Sequence, residues 1–270
     1  MHRRYFSVAF LAANFCQLGN AAESFFENIA WVPSAAVHMQ NLQFDQRLFK
    51  GSSSLPASAS GDLEVNLPVL ALGLTAFYDR YYVEIAREDS VDDALTSTTV
   101  PFTGGKSSVG LEDLSLTFGM RLSDGLRGYV GYRDAETVIK NITGFPSPPQ
   151  TPRYEQNYQE DGIVLGARYD MPVLELGTLS FDASYAILDG VYEDNFATAG
   201  RNFEYDGDSE GFKIGARWSA LLTKRIAYHL DLRYQRYEFD GNDANGNFAG
   251  AEVEIDQQVL SYGAGLEWLF

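Results

Sequence analysis

Residues 260–270 read LSYGAGLEWLF. Leu260, Tyr262, Ala264, Leu266, Trp268 and Phe270 share one parity, and Ser261, Gly263, Gly265 and Glu267 share the other. Successive side chains of an extended strand point to opposite faces, so a period of two sorts this segment into a greasy face and a polar one. Ile226, Tyr228, Leu230, Leu232 and Tyr234 alternate in the same way with His229, Asp231, Arg233 and Gln235, as do Phe212, Ile214, Ala216 and Trp218 with Lys213, Gly215 and Arg217.

Further towards the N-terminus the apolar faces are Leu179 to Ile187, Ile163 to Tyr169, Val130 with Tyr132, Leu114 to Met120, and Tyr81 with Val83 and Ile85. Between Leu63 and Ala76 the apolar residues are odd-numbered up to Val69 and even-numbered from Leu70, which predicts a β-bulge near Pro68. A weaker first strand is expected over Val37 to Phe44, making ten. Short turns are expected at Tyr78 to Arg80, Ser123 to Gly125, Pro172 to Gly177 and Leu222 to Arg225. They alternate with long polar connections at 47–61, 90–111, 139–160, 191–209 and 240–252.

At the other end of the chain, His2, Arg3 and Arg4 precede an apolar stretch from Tyr5 to Leu18 and small residues at Gly19, Ala21 and Ala22. That order predicts a secretory signal over residues 1–22, leaving one domain over 23–270. Phe15 is too large for the position before a lipidated Cys16. Removing 1–22 takes away the only cysteine and leaves 18 basic and 37 acidic side chains, a net charge of −19. Disulfide and thiol chemistry are thereby excluded, and so much negative charge argues against nucleic acid as a partner.

Nothing after residue 22 approaches the 18 or more apolar residues of a membrane helix, so a membrane crossing would have to be made by strands. An even number of alternating strands, with short turns at one end and long connections at the other, predicts an all-β, transmembrane, antiparallel up-and-down β-barrel. The last strand resembles the terminal signature of Gram-negative outer-membrane β-barrels at Ser261, Gly263, Leu266, Trp268 and Phe270. The resemblance implies insertion by the barrel-assembly machinery, contact with outer-membrane lipid and lipopolysaccharide, periplasmic termini and extracellular long loops. It reaches no subfamily, and one fold hosts many functions.

With apolar residues facing lipid, the expected lumen carries Glu64, Glu84, Glu88, Arg121, Arg127, Arg133, Arg168, Asp170, Asp182, Lys213, Arg217, His229, Asp231 and Arg233. Ten strands enclose an interior that side chains can largely fill. The expectation is a plugged, mixed-charge lumen of structural or surface-interaction type, with a narrow porin-like channel as the alternative. Only His38 and His229 survive processing. Omptin surface proteases use acids and a histidine at the extracellular rim, whereas His229 falls near the periplasmic turn, so no catalytic residue is assigned and a surface hydrolase ranks last.

The long connections carry acids, among them Asp89, Asp92 and Asp93; Glu155, Glu160 and Asp161; Glu204 to Glu210; and Glu238, Asp240 and Asp243. Asp243, Asn245 and Glu252 match positions 3, 5 and 12 of a calcium-loop template, but Gly241 stands where its first ligand belongs. No cofactor is expected beyond divalent cations held loosely between these acids and lipid phosphates.

Overall fold

The computed structural model describes residues 29–49, 59–91, 94–98, 105–143, 154–173, 176–196, 201–244 and 251–270. The expected signal segment lies outside them. Eleven strands follow in chain order: β1 (Ala30–Phe49), β2 (Ala59–Tyr78), β3 (Tyr81–Ser90), β4 (Ala94–Thr98), β5 (Gly105–Ser123), β6 (Leu126–Thr143), β7 (Tyr154–Pro172), β8 (Thr178–Phe196), β9 (Arg201–Leu221), β10 (Ile226–Asp243) and β11 (Glu252–Trp268). Each pairs antiparallel with its neighbours. β3 and β4 both lie against β5 and occupy one wall position, so the barrel has ten. It closes where β1 meets β11, from Ser34 opposite Glu267 to Phe49 opposite Glu252.

Tight turns join β2 to β3 at Asp79–Arg80 and β5 to β6 at Asp124–Gly125. Asp79 (φ 53°) and Gly125 (φ 78°) are left-handed, as such turns require. At Gly125 a Cβ would come 2.5 Å from the Asp170 carbonyl oxygen, so glycine is needed for space as well.

The strands change polarity along their length. In the half nearest the tight turns, large apolar side chains point outwards: Leu70, Leu72 and Leu74 on β2, Ile163 and Leu165 on β7, Leu230 and Leu232 on β10. In the other half the apolar side chains point inwards. Leu42, Leu67, Val69, Tyr158, Phe239 and Val253 belong to one buried cluster that fills the lumen there, and the outward positions are polar. The outward apolar belt runs about nine residues per strand, such as Leu179 to Ile187 or Leu260 to Trp268, which is what a tilted strand needs to cross a hydrocarbon layer. Strands of this length, tilted like those of other barrels, rise about 45 Å, well beyond an apolar band about 25 Å tall. Half of the barrel therefore has the chemistry of a membrane protein and half that of a water-soluble one.

Inverted polarity accounts for several departures from the sequence reading. The expected bulge at Pro68 is absent: β1 and β2 pair without a shift from Ala30↔Phe77 to Leu48↔Ala59. Odd residues of β2 point inwards throughout, and only the chemistry of the two faces is exchanged. Pro68, lacking an N–H, instead marks where the β2–β3 ladder ends, its carbonyl accepting from the Val91 N–H at 2.9 Å. Glu64 consequently leaves the lumen set. It is exposed on the outside and accepts a hydrogen bond from Asn41 Nδ2 at 3.1 Å. The first strand runs over 30–49 rather than 37–44, and much of the long polar connections at 90–111, 139–160 and 191–209 is strand, because polar outward positions with apolar inward ones still have a period of two.

Candidate functional site

The interior has three storeys. Above is the apolar cluster. In the middle Arg133 of β6, 7% exposed, bonds Asp113 Oδ2 at 2.9 Å and Glu160 Oε2 at 3.1 Å, with its guanidinium 4.2 Å from the centre of the Tyr237 ring. Glu160 also accepts from Tyr158 at 2.6 Å and from Ser209 at 2.5 Å. Three donors thus converge on the buried Glu160 side chain, and these contacts offset the cost of burying it.

Below lies a polar chamber of about 920 Å³, whose lining descends from His38 and Glu88 to Asp124 and Gly125 in a tight turn and Leu269 beside the closing strand. It opens at the end that carries the tight turns. Arg127 and Arg168 both bond Asp170, Lys213 stands 3.9 Å from Asp182, and Arg217 stands 3.3 Å from Glu267. Arg233 grips Glu88 with two contacts, of 2.7 and 2.5 Å. Glu88 comes from β3, which is next to β10 in neither sequence nor sheet, and it reaches the centre because its cross-strand neighbour Ala71, and Ala36 beyond it, are small. Glu84, Asp182 and Arg121 also line the chamber, Arg121 at its exposed mouth.

The two histidines lie in this chamber, both buried. His38 Nε2 is 3.2 Å from Asp231 Oδ1, and its Nδ1 is 3.9 Å from Glu88. His229 Nε2 is 3.6 Å from Asp231 Oδ2, and its Nδ1 is 3.4 Å from Glu267. The result is a chain, Glu88–His38–Asp231–His229–Glu267, bridging β3, β1, β10 and β11 over the closing seam. Each imidazole lies between two carboxylates. Among the described residues no three histidine, cysteine or acidic side chains converge to hold a metal ion.

Thirteen of the fourteen expected lumen residues face inwards, Glu64 being the exception. Sequence reasoning missed Asp113, Glu160, Glu267 and the role of His38. Asp113 and Glu267 stand on the inward parity of their strands and could have been found by extending it, while Glu160 was hidden in a segment read as loop. In the terminal signature Ser261, buried, and Gly263 face the lumen, whereas Leu266, Trp268 and Phe270 face outwards. Of the calcium-template residues, Asp243 and Glu252 are strand residues that point to opposite sides of the wall, and Asn245 lies outside the described residues.

On the outside, above the apolar belt, acids stand directly opposite one another across six strands. Asp134, Asp161, Asp189, Asp208, Asp240 and Glu254 form one row that ends at Arg47. Asp92 and Asp93 lie outside the described residues.

No family model and no curated protein matches the sequence. Solved structures do match. The outer-membrane protease OmpT of Escherichia coli superimposes with a TM-score of 0.63 at 12% identity, over 89% of this chain and 97% of that one. The translocator domain of the autotransporter NalP from Neisseria meningitidis gives 0.46 at 11% identity, over 97% and 98% of the two chains. Neisserial surface protein A gives 0.34 at 14% identity, over 89% and 99%. Closed, all antiparallel and girdled by an apolar belt, the chain has the fold of the Gram-negative outer-membrane β-barrels.

Proposed function

We propose that this is a non-enzymatic barrel of the Gram-negative outer membrane, exported through a cleaved signal peptide. Its extracellular half stands out of the bilayer as a filled, water-facing collar with a structural or surface-interaction role. The observation that carries this reading is the apolar cluster in that half. A solute crossing the lumen would have to pass Leu67, Val69, Val253 and Ile255, all 2% exposed or less, and part the buried side chains of Gln46, Gln156 and Tyr192, and of Gln257 and Thr137, which are hydrogen-bonded to one another across it. Such an interior is close-packed and excludes hydrated ions. Refolded into planar bilayers, the protein is expected to remain electrically silent, and stable, reproducible conductance steps would instead establish the porin-like alternative.

The termini are assigned to the periplasm, with the collar outside. A tag inserted at Asp124 should be shielded on intact cells, and one near Ser53 should be reachable. The surface-hydrolase reading, to which the similarity to a protease lends some footing, is disfavoured because both mature histidines sit beneath the apolar cluster, away from the extracellular end. Hydrolysis of peptide or lipopolysaccharide that vanished in His229→Ala would reverse that judgement. The outward acid row suits divalent cations shared with lipopolysaccharide phosphates, and the final strand suits reading by the assembly machinery.

A further inference from the structure

Three arginines stand side by side at the open mouth of the lower chamber. Arg121 of β5 is directly opposite Arg127 of β6, and Arg127 is directly opposite Arg168 of β7. All three line the chamber. Like charges directly across from one another are destabilising, so a row of three on an inward face calls for negative charge.

The protein bonds one carboxylate to the row. Asp170 receives Arg127 at one oxygen and Arg168 at the other, and Ser180 bridges Arg168 to it. Asp182, next along the row on β8, accepts from the Tyr129 hydroxyl at 3.0 Å and faces Lys213 at 3.9 Å. Asp124, exposed in the turn, lines the mouth and bonds none of the three. The Arg121 side chain has no partner among the described residues. A guanidinium carries five N–H groups. Arg127 and Arg168 engage only Nε and Nη2, which leaves both Nη1 groups and the whole fork of Arg121 for a ligand. The seat is also held in shape, because the Arg127 guanidinium lies 6.0 Å from the centre of the Phe77 ring and 5.7 Å from that of Tyr82.

A carboxylate brings two oxygens, and Asp170 already serves two of the arginines in that way. A phosphate monoester brings three terminal oxygens and nearly two charges, enough to meet three planar forks. Behind the row, about 920 Å³ of polar chamber leaves room for an organic remainder. We propose that the arginine row is a binding site for the phosphate monoester of a small polar solute, entering by the mouth that carries the tight turns. Only the compartment from which the solute arrives, the periplasm, rests on the orientation proposed above, and binding in detergent does not depend on it.

The test is isothermal titration of the refolded full-length protein in detergent with glycerol 3-phosphate, and in parallel with inorganic phosphate, sodium acetate, glycerol, and phosphatidylglycerol in mixed micelles. Glycerol 3-phosphate is expected to bind saturably at one site, inorganic phosphate to compete for it more weakly, and acetate and glycerol to give no saturable heat. Arg121→Gln, which breaks no bond within the protein, should weaken glycerol 3-phosphate at least tenfold. Arg87→Gln removes the same charge from the outer wall and should leave binding unchanged. Heat-modifiable mobility reports the folding of each variant. Without ligand, Arg121→Gln should raise the urea midpoint, because it removes one of three like charges, and glycerol 3-phosphate should then raise the midpoint of the parent more than that of the variant. An arginine kept for structure would do the reverse in the first of these measurements. No saturable heat from glycerol 3-phosphate, equal binding of acetate or glycerol, or binding confined to phosphatidylglycerol would overturn the assignment. So would a folded Arg121→Gln that binds like the parent, or one whose ligand-free midpoint falls.

Discussion

The imidazole of His38 fills the space that a side chain at Gly263 would need: a Cβ there would stand 1.9 Å from His38 Cδ2. Gly263 is the residue of β11 opposite both His38 and Asp231, so its bareness is what allows those two side chains to meet over the strand. Gly263→Ala is expected to destabilise the barrel by about 1–3 kcal/mol, the usual cost of overpacking. His38→Ala in the same chain should restore part of that loss. Urea unfolding of the two single variants and the double variant measures the coupling. A double variant that is merely the sum of its parts would mean that Gly263 serves the assembly signal and not the histidine.

The change of polarity along β10 predicts opposite tolerances at two outward positions. Leu230 lies in the apolar belt, 49% exposed in the bare protein, and Asp240 stands above it in water. Leu230→Arg should cost about 2–4 kcal/mol in a bilayer, while Asp240→Lys should be nearly neutral. Phe239, inward beside Asp240 and 1% exposed, should cost about 3–5 kcal/mol when cut to alanine. Equal costs for the two outward arginine and lysine changes would place Asp240 in the membrane.

How much of this was legible follows from the same strand. Leu230, Leu232 and Tyr234 against Asp231 and Arg233 gave face and register directly, because a period of two survives in sequence. Tyr237 and Phe239 went unread as inward residues, although they keep the parity of Asp231, because the reading equated apolar with outward and the solvent outside changes from lipid to water near residue 235. The Arg233–Glu88 pair was beyond reach for a different reason. It joins strands that are neighbours in neither sequence nor sheet, and only the diameter of the closed barrel brings them together.

That pair makes its own prediction. Arg233 and Glu88 are 20% and 15% exposed and doubly bonded, so removing one partner strands a charge. Arg233→Leu should cost about 3–5 kcal/mol, and Glu88→Gln added to it should recover part. Asp231→Asn should not rescue it. Rescue by Asp231→Asn in place of Glu88→Gln would reassign the partner.

In the collar, burial and then the neighbouring Asp161 hold the carboxyl of Asp134 above the ordinary carboxylate range, and burial and then Asp256 and Asp62 do the same for Asp45. A carboxyl raised in the folded state binds its proton more readily there than in the unfolded chain. Between the two values the folded state holds more protons, so this contribution to stability grows as pH falls and is lost as pH rises through the folded-state value. Asp134→Asn and Asp45→Asn should therefore stabilise at neutral pH, with a benefit that shrinks on acidification. Urea midpoints for parent and variants from neutral pH downwards test this, and a benefit that grew with acid would contradict the assigned sign.

The row from Asp134 to Glu254 places like charges directly across from one another, which costs about 0.2–1 kcal/mol for each pair. Asp208 has two such neighbours, Asp189 and Asp240, and no opposing base in the row until Arg47. In low-salt buffer Asp208→Asn should therefore raise stability by about 0.5–1.5 kcal/mol. If the row draws divalent cations, Mg²⁺ should raise the unfolding midpoint of the parent more than NaCl at equal ionic strength, since simple screening depends only on ionic strength. The advantage of Asp208→Asn should then shrink in Mg²⁺, because the ion has already relieved the repulsion that the variant removes. A shift of equal size in the two salts would reduce the row to a solvated face whose charges are merely screened. A destabilised Asp208→Asn would mean that the carboxylate has a partner worth more than the repulsion of its neighbours.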